Sequence, residues 1–113
     1  MTTNHEICHL YDIPDGGSKG FVIETEEVPQ EIFIIRQNKQ VYGYINRCPH
    51  TGVNLDWTPD EFLDNEKKFI ICSTHGAKFR IKDGRCILGP CIGDHLKPIN
   101  IFIYDDQLHL VIK

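Results

Sequence analysis

The chain has 113 residues, 41% of them hydrophobic and 25% charged, which suits one domain with a modest core. Twelve Lys and Arg against 16 Asp and Glu leave a formal charge of −4, and no basic block exceeds Lys67-Lys68, which argues against a surface that tracks nucleic-acid phosphates. The longest apolar runs are a few residues, as in Phe69-Ile70-Ile71-Cys72, whereas a helix that crosses a bilayer needs roughly 20.

Met1-Thr2-Thr3-Asn4-His5-Glu6 carries neither a basic n-region nor an apolar h-region, so a cytoplasmic location is expected, with no membrane and no nucleic acid as partners. Cytoplasmic thiols stay reduced. Five cysteines, an odd number, therefore suit metal ligation better than a disulfide framework.

In chain order, Ile7 to Ile13 mixes apolar and polar residues as a strand does, and Pro14-Asp15-Gly16-Gly17 ends it with turn chemistry. A second strand is expected at Phe21 to Thr25. Glu31 to Arg36 and Gln40 to Ile45, rich in β-branched and aromatic residues, flank Gln37-Asn38-Lys39 and predict a hairpin. Thr58, Pro59 and Glu61 fit the cap, first position and capping box of a short helix near residues 59 to 65. Trp57 and Phe62 are candidates to anchor that segment to the core. Phe69 to Ser73 is the next strand, followed by a hairpin of Lys78 to Ile81 and Arg85 to Leu88 around Lys82-Asp83-Gly84. Gly89 to Gly93 is a loop, and two last strands, Ile99 to Tyr104 and Gln107 to Ile112, meet at Asp105-Asp106. Many short strands with regular turns and almost no helix predict an all-β antiparallel sandwich or barrel.

Two stretches carry the chemistry. Cys48-Pro49-His50-Thr51-Gly52 and Cys72-Ser73-Thr74-His75-Gly76 each offer one thiolate and one imidazole within a turn, and each ends in a glycine where a strand ends. Together they can close a four-ligand site of two sulfurs and two nitrogens. Zinc accepts such a set, but zinc modules usually pair C-x-x-C with H-x3-5-H, and here sulfur and nitrogen are mixed in each half-site. A colourless protein holding zinc, with no iron or labile sulfide, would favour that alternative. Cys8, Cys86 and Cys91 have no evident metal role; a small buried or half-buried thiol is the simplest reading of Cys91, and a Cys86–Cys91 pairing, open only if geometry and compartment allow it, is not expected. His95 reads as a polar loop residue near the site.

The two motifs closely resemble the signature of Rieske-type [2Fe-2S] proteins, in which two cysteines hold one iron and two histidines the other. Leu55, Lys78-Phe79-Arg80-Ile81 with Asp83-Gly84, the loop at Gly89-Pro90 and the return at Leu96-Lys97-Pro98 extend the likeness over about residues 44 to 98. The resemblance implies one domain over residues 1–113, with a base fold of about 1–45 and 92–113 and a cluster-binding subdomain of about 46–91. It implies a [2Fe-2S] cofactor held by Cys48, His50, Cys72 and His75. The interval between the motifs is a few residues longer than in most small ferredoxin-like members, an insertion that costs only about 0.6 kcal/mol per doubling of a loop.

High-potential Rieske proteins carry an extra cysteine in each loop and hydroxyl donors beside them. Here Val53 and Thr74 stand at the cysteine positions, and Ala77 and Phe79 where Ser and Tyr occur, so the chain resembles the low-potential, ferredoxin-type branch. A potential toward the lower end of the Rieske range, which begins at roughly −150 mV, is expected. The resemblance further implies a potential that falls as pH rises above the pKa of the ligand histidines. One cluster domain leaves no room for a flavin or mononuclear iron site. The expected function is therefore a one-electron carrier and not an enzyme, a ferredoxin taking electrons from a flavin reductase and passing them to a terminal oxygenase. The alternatives are a small accessory subunit of an assimilatory nitrite reductase-like enzyme, and a redox-sensing or structural metal domain.

Overall fold

The computed structural model describes residues 3–24, 29–49, 52–56, 59–73 and 76–112. Nine strands form three antiparallel sheets of three strands each among these residues. They are β1 (Thr3–His9), β2 (Ser18–Ile23), β3 (Gln30–Gln37), β4 (Gln40–Ile45), β5 (Phe69–Ile71), β6 (Lys78–Arg80), β7 (Cys86–Leu88), β8 (Ile101–Tyr104) and β9 (Gln107–Ile112). The sheets run β1-β9-β8, β2-β3-β4 and β5-β6-β7, so the all-β expectation holds.

Turn chemistry sets the hairpin registers. Gln37 faces Gln40 and Tyr104 faces Gln107, which leaves two-residue turns at Asn38-Lys39 and Asp105-Asp106. Asp105 and Asp106 both take positive φ, 51° and 60°, the geometry whose twist matches the flanking strands. The strand expected from Ile7 to Ile13 divides: β1 stops at His9, and Leu10–Asp12 form a 3-10 turn. His9 and Asp12 cap that turn reciprocally, the His9 imidazole accepting from Tyr11 N–H and the Asp12 carboxylate from His9 N–H.

β3 organises the molecule. Its run Ile32-Phe33-Ile34-Ile35 is buried on both faces, and the two-residue period of a strand sends alternate side chains to different cores. Ile32 and Ile34 point into the base, where they pack with Leu10 and Ile13 of the 3-10 turn and its C-cap, Ile23 of β2, and Leu108 and Leu110 of β9. Phe33 and Ile35 point the other way, into a core shared with Leu55, Phe62, Ile70, Phe79 and Leu96. The third sheet rests on that second core. Tyr44, buried in it, donates its hydroxyl to Ile81 O at 2.6 Å and joins β4 to the end of β6.

Burial raises the Tyr44 phenol to about 12 from its ordinary 10.0. Its proton is thus held more tightly folded than unfolded. Stability tied to this group is complete below pH 10 and is lost as pH rises toward 12, where the unfolded chain ionises first. In alkaline urea titrations, the fall in stability between these pH values is expected to be shallower for Tyr44→Phe than for the unaltered protein. Equal slopes would mean that the phenol is not linked to folding.

The helix expected near residues 59 to 65 does not form. Thr58 and Trp57 lie outside the described residues, and Asp60 takes φ 69°, which breaks a helix. Partners distant in sequence claim the segment: the Asp60 carboxylate accepts from Gly20 N–H at 2.8 Å, Asp60 O from the Ser18 hydroxyl at 2.7 Å, and Phe62 O from Ile71 N–H at 2.9 Å. Phe62 is fully buried and stacks on Phe33 with ring centroids 4.4 Å apart. That apolar anchor and three tertiary hydrogen bonds outweigh a local capping preference of about 1 kcal/mol.

Candidate metal centre

Two loops of the same construction meet beside the second core. In the first, Cys48 N–H donates to Val53 O at 2.7 Å and Gly52 N–H to Cys48 O at 2.8 Å. In the second, Cys72 N–H donates to Ala77 O at 2.9 Å and Gly76 N–H to Cys72 O at 2.8 Å. Each cysteine therefore opens a tight loop that closes on its fifth successor, and each loop needs a left-handed residue before closure. Gly52 and Gly76, with φ of 77° and 68°, meet that need without a Cβ penalty.

Cys48 and Cys72 are almost completely buried, at 1% and 0% exposure, within one cluster that also holds Leu55, Ala77 and Phe79. His50 and His75, the other two predicted ligands, lie outside the described residues, as does Thr74. The structure thus places the two predicted sulfurs at equivalent positions of paired loops. Two buried thiols in an apolar wall suit a soft, thiolate-binding iron or zinc site rather than a hard cation.

Sequence reasoning did not single out Asn46, the buried polar side chain among the described residues. Its Oδ1 accepts from Leu55 N–H at 2.9 Å and its Nδ2 donates to Asp56 Oδ1 at 2.9 Å. Leu55 O in turn accepts from Ser73 N–H at 2.9 Å. This chain of bonds ties the strand that delivers Cys48 to the loop that carries Cys72. Only tertiary contact reveals it, since an asparagine at a strand end reads equally as a surface turn.

Gly89 lies over the second loop: a Cβ on it would stand 2.9 Å from Ala77 Cα. Gly89 is therefore packed against Ala77, the residue on which that loop closes. Cys86 and Cys91, at 1% exposure each, belong to the same buried cluster. Burial, then hydrogen bonding to Cys86, pushes the Cys91 thiol up to about 12. Cys8 sits apart on β1, half-buried, its thiol raised by burial to about 11. His95 is exposed and lines an open hollow together with Arg47, Cys48, Asn54 and Lys97.

Comparison with known proteins points the same way. The profile of the Rieske [2Fe-2S] domain matches residues 3–104. A search of curated proteins found no match. Among solved structures, the ferredoxin of carbazole 1,9a-dioxygenase from Nocardioides aromaticivorans IC177 is similar at a TM-score of 0.73 and 18% identity, covering 96% of each chain. The terminal oxygenase of carbazole 1,9a-dioxygenase from Novosphingobium sp. KA1 is similar at a TM-score of 0.77 and 18% identity, over 95% of this chain and 29% of the oxygenase chain. At these identities the likeness to both structures is one of fold.

Proposed function

This chain belongs to the Rieske [2Fe-2S] domain family, and from that premise we propose that it is a cytoplasmic one-electron carrier rather than an enzyme. The paired, identically closed loops that present Cys48 and Cys72 carry the reading. Cys48 and Cys72 would hold one iron of the cluster, and His50 and His75 the other. When bound, the cluster takes up and returns a single electron.

The chain's own residues do the rest. Leu55, Ala77, Phe79 and Leu96 exclude water from the sulfur side, and the Asn46–Leu55–Ser73 bonds hold the two loops in register. Val53, which closes the first loop, and Leu88 and Ile92, on either side of Gly89-Pro90, are exposed at 43%, 53% and 66% and offer apolar surface that a transient redox partner can cover. The division into a base of about 1–45 and 92–113 and a cluster-binding part of about 46–91 accords with β3 dividing its side chains between two cores.

The proposed partners are a flavin reductase as donor and a terminal oxygenase as acceptor. Support comes from fold similarity over nearly the whole length of a carbazole dioxygenase ferredoxin, and from a solved complex described as reduced oxygenase with oxidised ferredoxin of that system, 91% of whose matched chain is covered. Anaerobic stopped-flow mixing tests this. A flavoprotein reductase with its nicotinamide donor is expected to reduce the holoprotein by one electron, and an oxygenase of the same system to reoxidise it. Reduction by dithionite alone, with every reductase and oxygenase encoded beside the protein inert, would overturn the carrier reading.

A further inference from the structure

We propose that Cys86 and Cys91 are a thiol–disulfide site, distinct from Cys48 and Cys72, that interconverts reversibly between a dithiol and an intramolecular disulfide. The loop from Cys86 to Asp94 is closed by its own backbone: Cys86 N–H donates to Asp94 O at 2.8 Å, Gly93 N–H to Cys86 O at 3.2 Å, and Asp94 N–H to Cys91 O at 2.9 Å. This closure brings the two Sγ atoms to 2.9 Å, with the Cys91 thiol donating to Cys86 and the Cys86 thiol to Leu88 O at 3.3 Å. A disulfide of about 2.05 Å needs less than about 1 Å of further approach.

A thiolate metal site is the rival use of two adjacent cysteines. Among the described residues no group of three His, Cys, Asp or Glu side chains that could hold a metal ion is present. Both cysteines are buried, yet Leu88, Pro90, Ile92 and Gly93 beside them in the chain are exposed, and local opening of this short segment gives a small disulfide access. The bridge would close a ring around Gly89-Pro90, whose Gly89 is packed against Ala77, the residue on which the Cys72 loop closes.

The oxidant is a low-molecular-weight disulfide, RSSR. With the segment open to water, Cys86 as its thiolate attacks a sulfur of RSSR, forming a mixed disulfide and releasing RS⁻. The second cysteine, as its thiolate, attacks the protein sulfur of that mixed disulfide, forming the Cys86–Cys91 bond and releasing the second RS⁻. The two thiol protons end on the two released thiolates, and two electrons pass from the cysteines to RSSR.

Peptide mapping tests the proposal without relying on electron transfer to any partner. The holoprotein is equilibrated anaerobically in mixtures of reduced and oxidised glutathione, quenched in acid, alkylated, digested and mapped by mass. As the mixture becomes oxidising, the Cys86–Cys91 fragment is expected to convert from doubly alkylated to two hydrogens lighter than the free dithiol, while cluster absorbance persists. Dithiothreitol should restore the dithiol. Cys91→Ser should instead leave a glutathione adduct on Cys86. The proposal is overturned if both thiols stay alkylatable throughout, if adducts form without the cross-link, if cluster absorbance is lost first, or if the bond is reduced only after unfolding.

Discussion

Cys72→Ser is expected to yield protein that lacks the cluster altogether: no visible absorbance from iron–sulfur charge transfer, and no paramagnetic signal after dithionite reduction. Cys72 is fully buried in the apolar wall of the site, and no other cysteine occupies the equivalent position of its loop. A serine hydroxyl there does not supply the soft thiolate that iron–sulfur ligation requires. His75→Ala is expected to have the same outcome. In the unaltered protein the reduced signal should show the low average g that mixed histidine and cysteine ligation produces. Cys8→Ser is the control, because Cys8 lies on β1 and packs with the base core. Its signal should match the unaltered protein. A Cys72→Ser protein that retains a full signal, or a Cys8→Ser protein that loses it, would place the ligands elsewhere.

Phe33→Ala is expected to be the most destabilising single truncation, at about 3–5 kcal/mol. Phe33 is completely buried on β3, stacks on Phe62 at 4.4 Å and contacts the Tyr44 ring at 5.8 Å. Its removal opens a cavity where the central strand, the 59–65 segment and the third sheet converge. A domain of this size has about 5–15 kcal/mol of stability in total, so the loss is a large part of it. Thermal unfolding should shift down by more than about 10 °C. Tyr104→Ala, at a side chain that is 73% exposed, should change stability by about 0.5 kcal/mol or less. If the Phe33→Ala shift is no larger than that of Tyr104→Ala, β3 does not bear the two cores as described.

Legibility in the sequence followed the range of the interactions. The hairpins around Gln37-Asn38-Lys39, Lys82-Asp83-Gly84 and Asp105-Asp106 are readable because turn geometry depends on the residues in the turn, although Gln37 itself pairs with Gln40 and leaves the first turn to Asn38-Lys39. The loops of Cys48 and Cys72 were readable for the same reason. Thiol, imidazole and glycine recur within five residues, and the loop closes on itself. The capping pattern at 59–65 does not give a helix because the segment's real partners, Ser18, Gly20 and Ile71, lie outside any local window. Phe62 as a core anchor was legible from its hydrophobicity, although its stacking partner was not.

By itself, the sequence determined the all-β class, the two half-sites and the family to which they belong, all properties of local pattern. Tertiary structure alone decided that Ile32-Phe33-Ile34-Ile35 serves two cores at once, that Asn46 links the two loops through Leu55 and Ser73, and that Cys86 meets Cys91. The physical reason is the same in each case. These arrangements rest on burial and on hydrogen bonds between groups that only the folded chain brings together, and residue type at one position does not encode which distant surface will cover it.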